Sequence, residues 1–236
     1  MPRPTPSSRR AVVLLSGGLD SSTVLAWAKQ AGWELVAVSF RYGQRHPREM
    51  EAAQHQAALW KVAEHIQAQV DLAPVGGSAL LGTAEVPKGR AMEEMGSDIP
   101  VTYVPARNAL FLTYGLAVAE ARKISEIFIG ANAVDYSGYP DCRPDFLDAF
   151  EKMAILATKM GREGTRIHVR APLLFMSKAE IVRKARELGL DLGHTWTCYD
   201  PQPDGSPCGL CDACRLRAQG FAAAGIPDPL LERRGT

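Results

Sequence analysis

The sequence predicts an α/β fold: a doubly wound parallel sheet with a small C-terminal module that binds zinc. Three observations predict it. Short continuous apolar runs alternate with helical stretches long enough to be crossovers. A Ser-Gly-Gly turn joins the first run to the first helix, and four cysteines replace helical periodicity near the end of the chain. At 236 residues, 46% hydrophobic and 22% charged, the composition is that of a globular chain with one large core and room for a small appendage.

The elements follow in order. Residues 1–10, MPRPTPSSRR, are basic and rich in proline and serine with no apolar segment behind them, so they are expected to be a disordered leader rather than a signal peptide. Ala11–Leu15 is short and wholly apolar, as a strand buried on both faces must be. Asp20, Ser21 and Ser22 are expected to cap a helix that carries Val24, Leu25, Ala28 and Ala31 on one side and stops at Gly32. Glu34–Phe40 is the second strand, Arg48–Ala63 an alanine-rich helix and His65–Leu72 the third strand. Between Pro74 and Pro105 repeated glycine and proline dissolve the pattern, which reads either as a lid or binding segment or as a plain insertion. Asn108–Arg122 is a helix with Asn108 as its cap, Glu126–Gly130 a strand, Pro144–Met160 a helix and Arg166–Ala171 a strand. Ser177-Lys178-Ala179-Glu180 is a capping box before a helix closed by Gly189. Residues 11–193 are therefore expected to form a nucleotide-binding α/β domain, and residues 194–236 the cysteine module and tail.

The stretch AVVLLSGGLDSS at residues 11–22 is the most informative. Glycine lets an anion approach the main chain without meeting a Cβ, and the first N–H groups of a helix, aided by its dipole, can hold phosphate. The hydroxyls of Ser16, Ser21 and Ser22 add donors. No lysine lies between Leu14 and Ala28, which excludes a Walker loop, and the G-x-G-x-x-G dinucleotide pattern is absent. A tight turn without a ligand is the competing reading.

Cys198, Cys208, Cys211 and Cys214 stand at C-x9-C-x2-C-x2-C spacing, suited to a closed tetrahedral zinc site of structural type. An iron–sulfur cluster or two disulfides are the alternatives. Residues 131–143 gather Asp135, Tyr136, Ser137, Tyr139, Asp141, Cys142 and Arg143 after a strand, where open α/β sheets bind ligands. Its tyrosines can stack on a planar heterocycle, its carboxylates can accept from an amino-imine edge, and Arg143 can pair with a carboxylate. Arg107 is placed to reach phosphate. Lys178, in the first turn of a helix, is unfavourably sited for a cation unless an anion neutralises it. Cys142 is not assigned as a nucleophile, and His46 and His194 are left without roles. The net charge of +1 argues against capture of nucleic acid by bulk charge, and no apolar run approaches a membrane span. A cytoplasmic protein without membrane or direct nucleic-acid partners is expected.

The SGGLDSS loop resembles the SGGxDS signature of the PP-loop ATP pyrophosphatase superfamily, which cleaves ATP between the α and β phosphates. With FRYGQRH at 40–46, VPARN at 104–108, NAVDYSGYPDCRPDF at 132–146 and the cysteine set, the chain is similar from about Val12 to Cys214 to the 7-cyano-7-deazaguanine synthase family of the queuosine pathway. That resemblance implies an adenine nucleotide α-hydrolase-like sheet and ATP contacts at Leu15, Ser16, Gly17, Gly18, Leu19, Asp20, Ser21, Ser22, Thr23, Val24 and Leu25. It implies zinc on the four cysteines and substrate or nucleotide contacts near Arg107, Asn108, Asp135 and Arg143. The implied reaction joins ammonia to a 7-carboxy-7-deazapurine with ATP and Mg2+, in a homodimer. Asp20, Lys178 and Arg107 are its expected catalytic groups, and a PP-loop tRNA thiolase is the alternative.

Overall fold

A computed structural model describes residues 9–82, 84–91, 95, 99–134 and 139–232. Five strands, β1 (Arg10–Leu14), β2 (Glu34–Arg41), β3 (Glu64–Gln69), β4 (Glu126–Phe128) and β5 (His168–Arg170), pair in parallel in the order β3-β2-β1-β4-β5. Eight α-helices are assigned among the described residues: α1 (Leu19–Gln30), α2 (Arg48–Leu59), α3 (Arg107–Ala121), α4 (Pro144–Ala157), α5 (Lys159–Arg162), α6 (Lys178–Glu187), α7 (Asp212–Ala224) and α8 (Pro229–Glu232). The doubly wound parallel sheet expected from the apolar runs is present.

Residues 11–15, which follow exposed Arg10 in and just beyond β1, show why that run is apolar throughout. Ala11, Val13 and Leu15 enter a core completed by Val24 and Leu25 of α1 and Ile181 and Ala185 of α6. Val12 and Leu14 enter a second core on the opposite face, with Leu112 and Leu116 of α3 and Phe150 of α4. Each residue therefore meets a packed layer, and polar alternation would place a group without a partner inside one of them. The strand order turns back on itself between β1 and β4, the position at which such sheets leave a crevice beyond their carboxyl ends.

Several local expectations are corrected. The predicted caps of α1 do not cap it: its N-cap is Gly18, with no side-chain hydrogen bond. The reason is that Ser21 is drawn back to Ser16 (Oγ–Oγ 2.9 Å) and Asp20 to a distant lysine, while the Ser22 hydroxyl is buried without a partner. Nor does Asn108 cap α3. The cap position is Ala106 at φ +53°, and the Asn108 N–H donates instead to Asp141 Oδ2 at 2.8 Å, so a carboxylate from another loop does the capping. The helix predicted to run to Met160 breaks at Thr158, whose extended backbone and hydroxyl start α5 by accepting from the Gly161 N–H at 3.1 Å. The capping box at Ser177 and Glu180 is present as read.

Two segments that looked peripheral are packed. In the Pro74–Pro105 stretch Leu80, Leu81, Val86 and Val104 are buried in the main core. Residues 194–232 share that core rather than hanging from it: the Trp196 N–H donates to the Gly17 carbonyl at 2.9 Å, and Cys198, Cys211 and Cys214 lie in the same cluster as Val12 and Val36. Buried Arg217 of α7 fixes the end of the chain, pairing with Asp228 at 2.7 and 2.9 Å and donating to Thr195 Oγ1 at 2.8 Å.

Gly17 carries much of this assembly. It sits at φ +80°, and a Cβ there would lie 2.4 Å from the Glu49 carbonyl and 2.5 Å from the Ala53 nitrogen of α2. The missing side chain makes way for a helix, in addition to any anion. Gly17→Ala should lose about 3 kcal/mol or more through combined backbone strain and overlap, measured as a lowered midpoint in denaturant; a midpoint equal to that of the parent would contradict this packing.

Candidate active site

The carboxyl ends of β1, β2 and β4 open into a cleft of about 290 Å³, close to the lower end of small-molecule sites. Leu15, Ser16, Gly18, Leu19, Asp20 and Ser21 form one wall, and Gly130, Ala131 and Asn132 lie beside them. Phe40, Tyr42, Phe111 and Tyr139 make an aromatic side, on which Phe40 and Phe111 stack at 3.9 Å. Trp196, Thr197 and Tyr199 close it from the C-terminal segment. Gly130 is needed for the strand to end here, since a Cβ would come within 2.9 Å of the Ser21 nitrogen.

The start of α1 faces this space without a side-chain cap, leaving the first-turn N–H groups that no helix can satisfy internally. Ser16 Oγ takes the Gly18 N–H at 3.3 Å and meets Ser21 Oγ, holding the turn in shape. Lys178 Nζ donates to both Asp20 oxygens, at 3.0 and 2.9 Å. The anion that Lys178 required is thus Asp20, 158 positions away. The lysine reaches it by crossing α7 at Gly220, where a Cβ would lie 2.3 Å from Lys178 Cγ.

Arg107 is held over the Tyr42 ring at 5.6 Å and donates to its hydroxyl at 3.2 Å. Burial pushes the Tyr42 phenol up to about 12, with Glu49 adding to the effect, so it stays a donor at neutral pH. Glu49 of α2 lines the same cleft and makes no hydrogen bond or ion pair with a described residue. Burial raises its carboxyl above the ordinary value, with Arg107 acting in the opposite direction. Partly exposed on the cleft wall beside a held cation, its carboxylate is free to accept from N–H or O–H groups.

The predicted residues separate accordingly. Arg107, Asn108, Tyr139, Lys178 and the loop from Leu15 to Ser21 line the cleft, except Gly17, which lies beneath α2. Ser22, Thr23, Val24 and Leu25 are buried within α1 and do not line it. Asp141 lies outside the lining, its carboxylate occupied in capping α3, and exposed Arg143 stands at the N-cap of α4. Asp135, Tyr136 and Ser137 lie outside the described residues. Sequence reasoning missed Glu49, Tyr42, Trp196 and Gly220. Glu49 resembles any charge in an alanine-rich helix, and only the fold turns it inward.

The four cysteines converge. Their sulfurs lie within 4.8 Å of one another, with Cys208 and Cys214 at 3.9 Å, against about 3.8 Å for tetrahedral sulfurs at the usual zinc distance. Backbone N–H groups of Leu210 and Cys211 donate to Cys208 Sγ at 3.4 and 3.3 Å, and that of Cys208 to Cys198 Sγ at 3.2 Å, stabilising thiolate charge. The Cys211 thiol is held low by S–H donation from Cys198 and Cys214, whose own thiols are pushed up by that crowding. The donor set fits a divalent ion that accepts thiolates. Residues 88–90 are strapped across it: Lys88 bridges Cys211, the Gly89 N–H donates to the Leu210 carbonyl at 2.9 Å, and Arg90 pairs with Asp212 at 2.9 Å.

Fold and site define an α/β protein of the parallel-sheet class, with an uncapped glycine loop over its cleft and a four-cysteine cluster. The chain belongs to a specific family within that class: the model described as Queuosine biosynthesis protein QueC matches residues 10–225. It is similar to the 7-cyano-7-deazaguanine synthase of Syntrophus aciditrophicus, at 58% identity covering 94% of this chain and 96% of that one. That of Desulfatibacillum aliphaticivorans is also 58% identical, covering 93% and 95%, and that of Paramagnetospirillum magneticum is 55% identical, covering 93% and 96%.

Cys211→Ser should lower zinc content and stability together. A loss of about 3 kcal/mol, or roughly 6–12 °C in Tm for a chain of this length, is expected. Elemental analysis and thermal unfolding check it, and an unchanged Tm would count against a structural ion.

Proposed function

We propose that this chain is an ATP-dependent carbon–nitrogen ligase that converts 7-carboxy-7-deazaguanine and ammonia to 7-cyano-7-deazaguanine in queuosine biosynthesis. Family membership supports the activity, and the observation that carries its placement is the cleft itself. An uncapped helix start, the Lys178–Asp20 pair and Arg107 face an aromatic space that also holds the unpartnered Glu49.

A carboxylate is a poor acyl donor because oxide would have to leave. In the proposed reaction its oxygen attacks the α-phosphorus of ATP and pyrophosphate departs, leaving an acyl adenylate. Ammonia displaces AMP to give the amide. A second activation at the amide oxygen, then loss of that oxygen with AMP and of two protons to solvent, leaves the nitrile. The chain's contribution is positioning and fixed charge. The first-turn N–H groups of α1 and Lys178 hold the departing phosphates, and Asp20 orients Lys178. Arg107 receives the substrate's carboxylate or the phosphate that replaces it. Glu49 accepts from the N1–H and 2-amino group of the purine, with the aromatic side stacking on its rings. Mg2+ bound with the triphosphate supplies neutralisation of the departing charge, and the four-cysteine ion is structural. The working form on this reading is a cytoplasmic homodimer; no described helix is long and apolar enough to cross a membrane. A tRNA thiolase is less favoured, because the four cysteines are drawn into one closed set.

Incubation with ATP, Mg2+, ammonium and 7-carboxy-7-deazaguanine should yield the nitrile and AMP by mass spectrometry; absence of both would refute the assignment. Asp20→Ala should slow nitrile formation at least about 10²-fold while circular dichroism stays unchanged. Near-normal turnover would remove Asp20 from the machinery.

Glu49 has a sharper test. The parent protein should prefer the 2-amino substrate over its 2-desamino analogue by about 10- to 150-fold in kcat/KM, the range of hydrogen bonds to a charged group. Glu49→Gln should flatten that preference; if the preference survives and ATP binding weakens instead, Glu49 serves the nucleotide.

A further inference from the structure

A second side-chain cluster lies outside the cleft and has no part in the proposed reaction. His55 of α2, Asp191 and His194 converge at the surface, with side chains 37%, 35% and 38% exposed. Asp191 Oδ2 lies 3.3 Å from His55 Nε2 and 2.5 Å from His194 Nδ1. The two imidazoles stack nearly parallel, 3.8 Å between centroids at 14°. One nitrogen from each ring and one carboxylate oxygen lie within 4.8 Å of one another, with Asp191 Oδ2 in contact with both rings.

We propose that His55, Asp191 and His194 form a second metal site, for a divalent transition ion of the zinc type. Ligands about 2.0–2.2 Å from a tetrahedral ion stand about 3.3–3.6 Å apart. The His55–Asp191 separation already has that value, and the His194–Asp191 contact reaches it by opening roughly 1 Å. The ion replaces the protons now shared between the rings and the carboxylate. Two imidazoles and a carboxylate suit zinc, nickel or copper rather than magnesium, which prefers oxygen donors. Three protein ligands leave a position for water.

The support around the cluster is firm. Gln56, fully buried, donates from one amide nitrogen to the Asp191 carbonyl at 2.9 Å and the His194 carbonyl at 3.3 Å, which fixes the backbone between two ligands. Gln30 donates to the Leu188 carbonyl at 3.1 Å, holding the approach to Asp191. The site would tie two walls of the cleft together from outside. His55 shares α2 with Glu49 and Met50, and His194 precedes Trp196 and Thr197, all four of which line the cleft. An ion here braces these walls without touching the reacting groups.

The test uses the full-length protein without a histidine tag and with its cysteine centre loaded with zinc. Calorimetric titration with Zn2+ should show one further equivalent per chain at micromolar concentration. A further equivalent of Co2+ should give weak visible bands without sulfur charge-transfer absorption. His55→Gln and His194→Gln should each weaken the added equivalent at least about tenfold and leave the cysteine-bound zinc in place. No added equivalent at 100-fold excess over protein would overturn the proposal, as would an equivalent that survives both substitutions or a cobalt spectrum with thiolate bands. The parent protein's cobalt spectrum decides the matter even if a variant fails to fold.

Discussion

The contact between Lys178 and Asp20 constrains more of this molecule than any other single interaction. Each residue sits in the first turn of its helix, Asp20 in α1 and Lys178 in α6. The aspartate is favoured there by the helix dipole and the lysine is not. The pair, only 26% and 18% exposed, removes the conflict by placing the two helix starts side by side at the carboxyl ends of the strands. Its geometry also demands two absences. Gly220 leaves room for the lysine stem, and Gly130 lets the β4 end pass against the first turn of α1. A charge pair partly withdrawn from water is costly to leave half-made, so the starts of α1 and α6 fix each other's position.

That dependence explains what could be read from the sequence and what could not. The strands were legible because a strand covered on both faces has no alternative to an apolar run, as in Ala11–Leu14, all but fully buried. The capping box of α6 was legible because both its partners lie within four residues. Lys178 was legible as an anomaly, a cation in need of an anion, but the identity of that anion was a tertiary fact. Asn108 misled for the related reason that a side chain able to cap a helix was displaced from that role by a carboxylate 33 positions away. The glycines of the loop were read as clearance for an anion, whereas Gly17 is required first by the backbone of α2. Glu49 carried no local signal, because inward-facing and solvated acids look alike in a helix of alanines.

The aromatic side of the cleft and its polar groups divide the work of recognition in a way that composition could not reveal. Phe40 and Phe111 stack on each other, and Tyr42 contacts Phe111 edge-on at 5.5 Å, giving a rigid surface. Arg107 is held by Tyr42 rather than by a carboxylate, so its charge is positioned without being cancelled. That keeps a cation available beside Glu49 on the cleft wall.

The strap at residues 88–90 joins the thiolate centre to a segment far away in sequence. Its links run to Leu210, Cys211 and Asp212, while Tyr199 and Ala213, next to Cys198 and Cys214, belong to the cleft wall. The four-cysteine cluster therefore joins an anchored crossing to a working surface. Loosening the cluster would be felt at once in the distant strap and in the wall that closes the cleft.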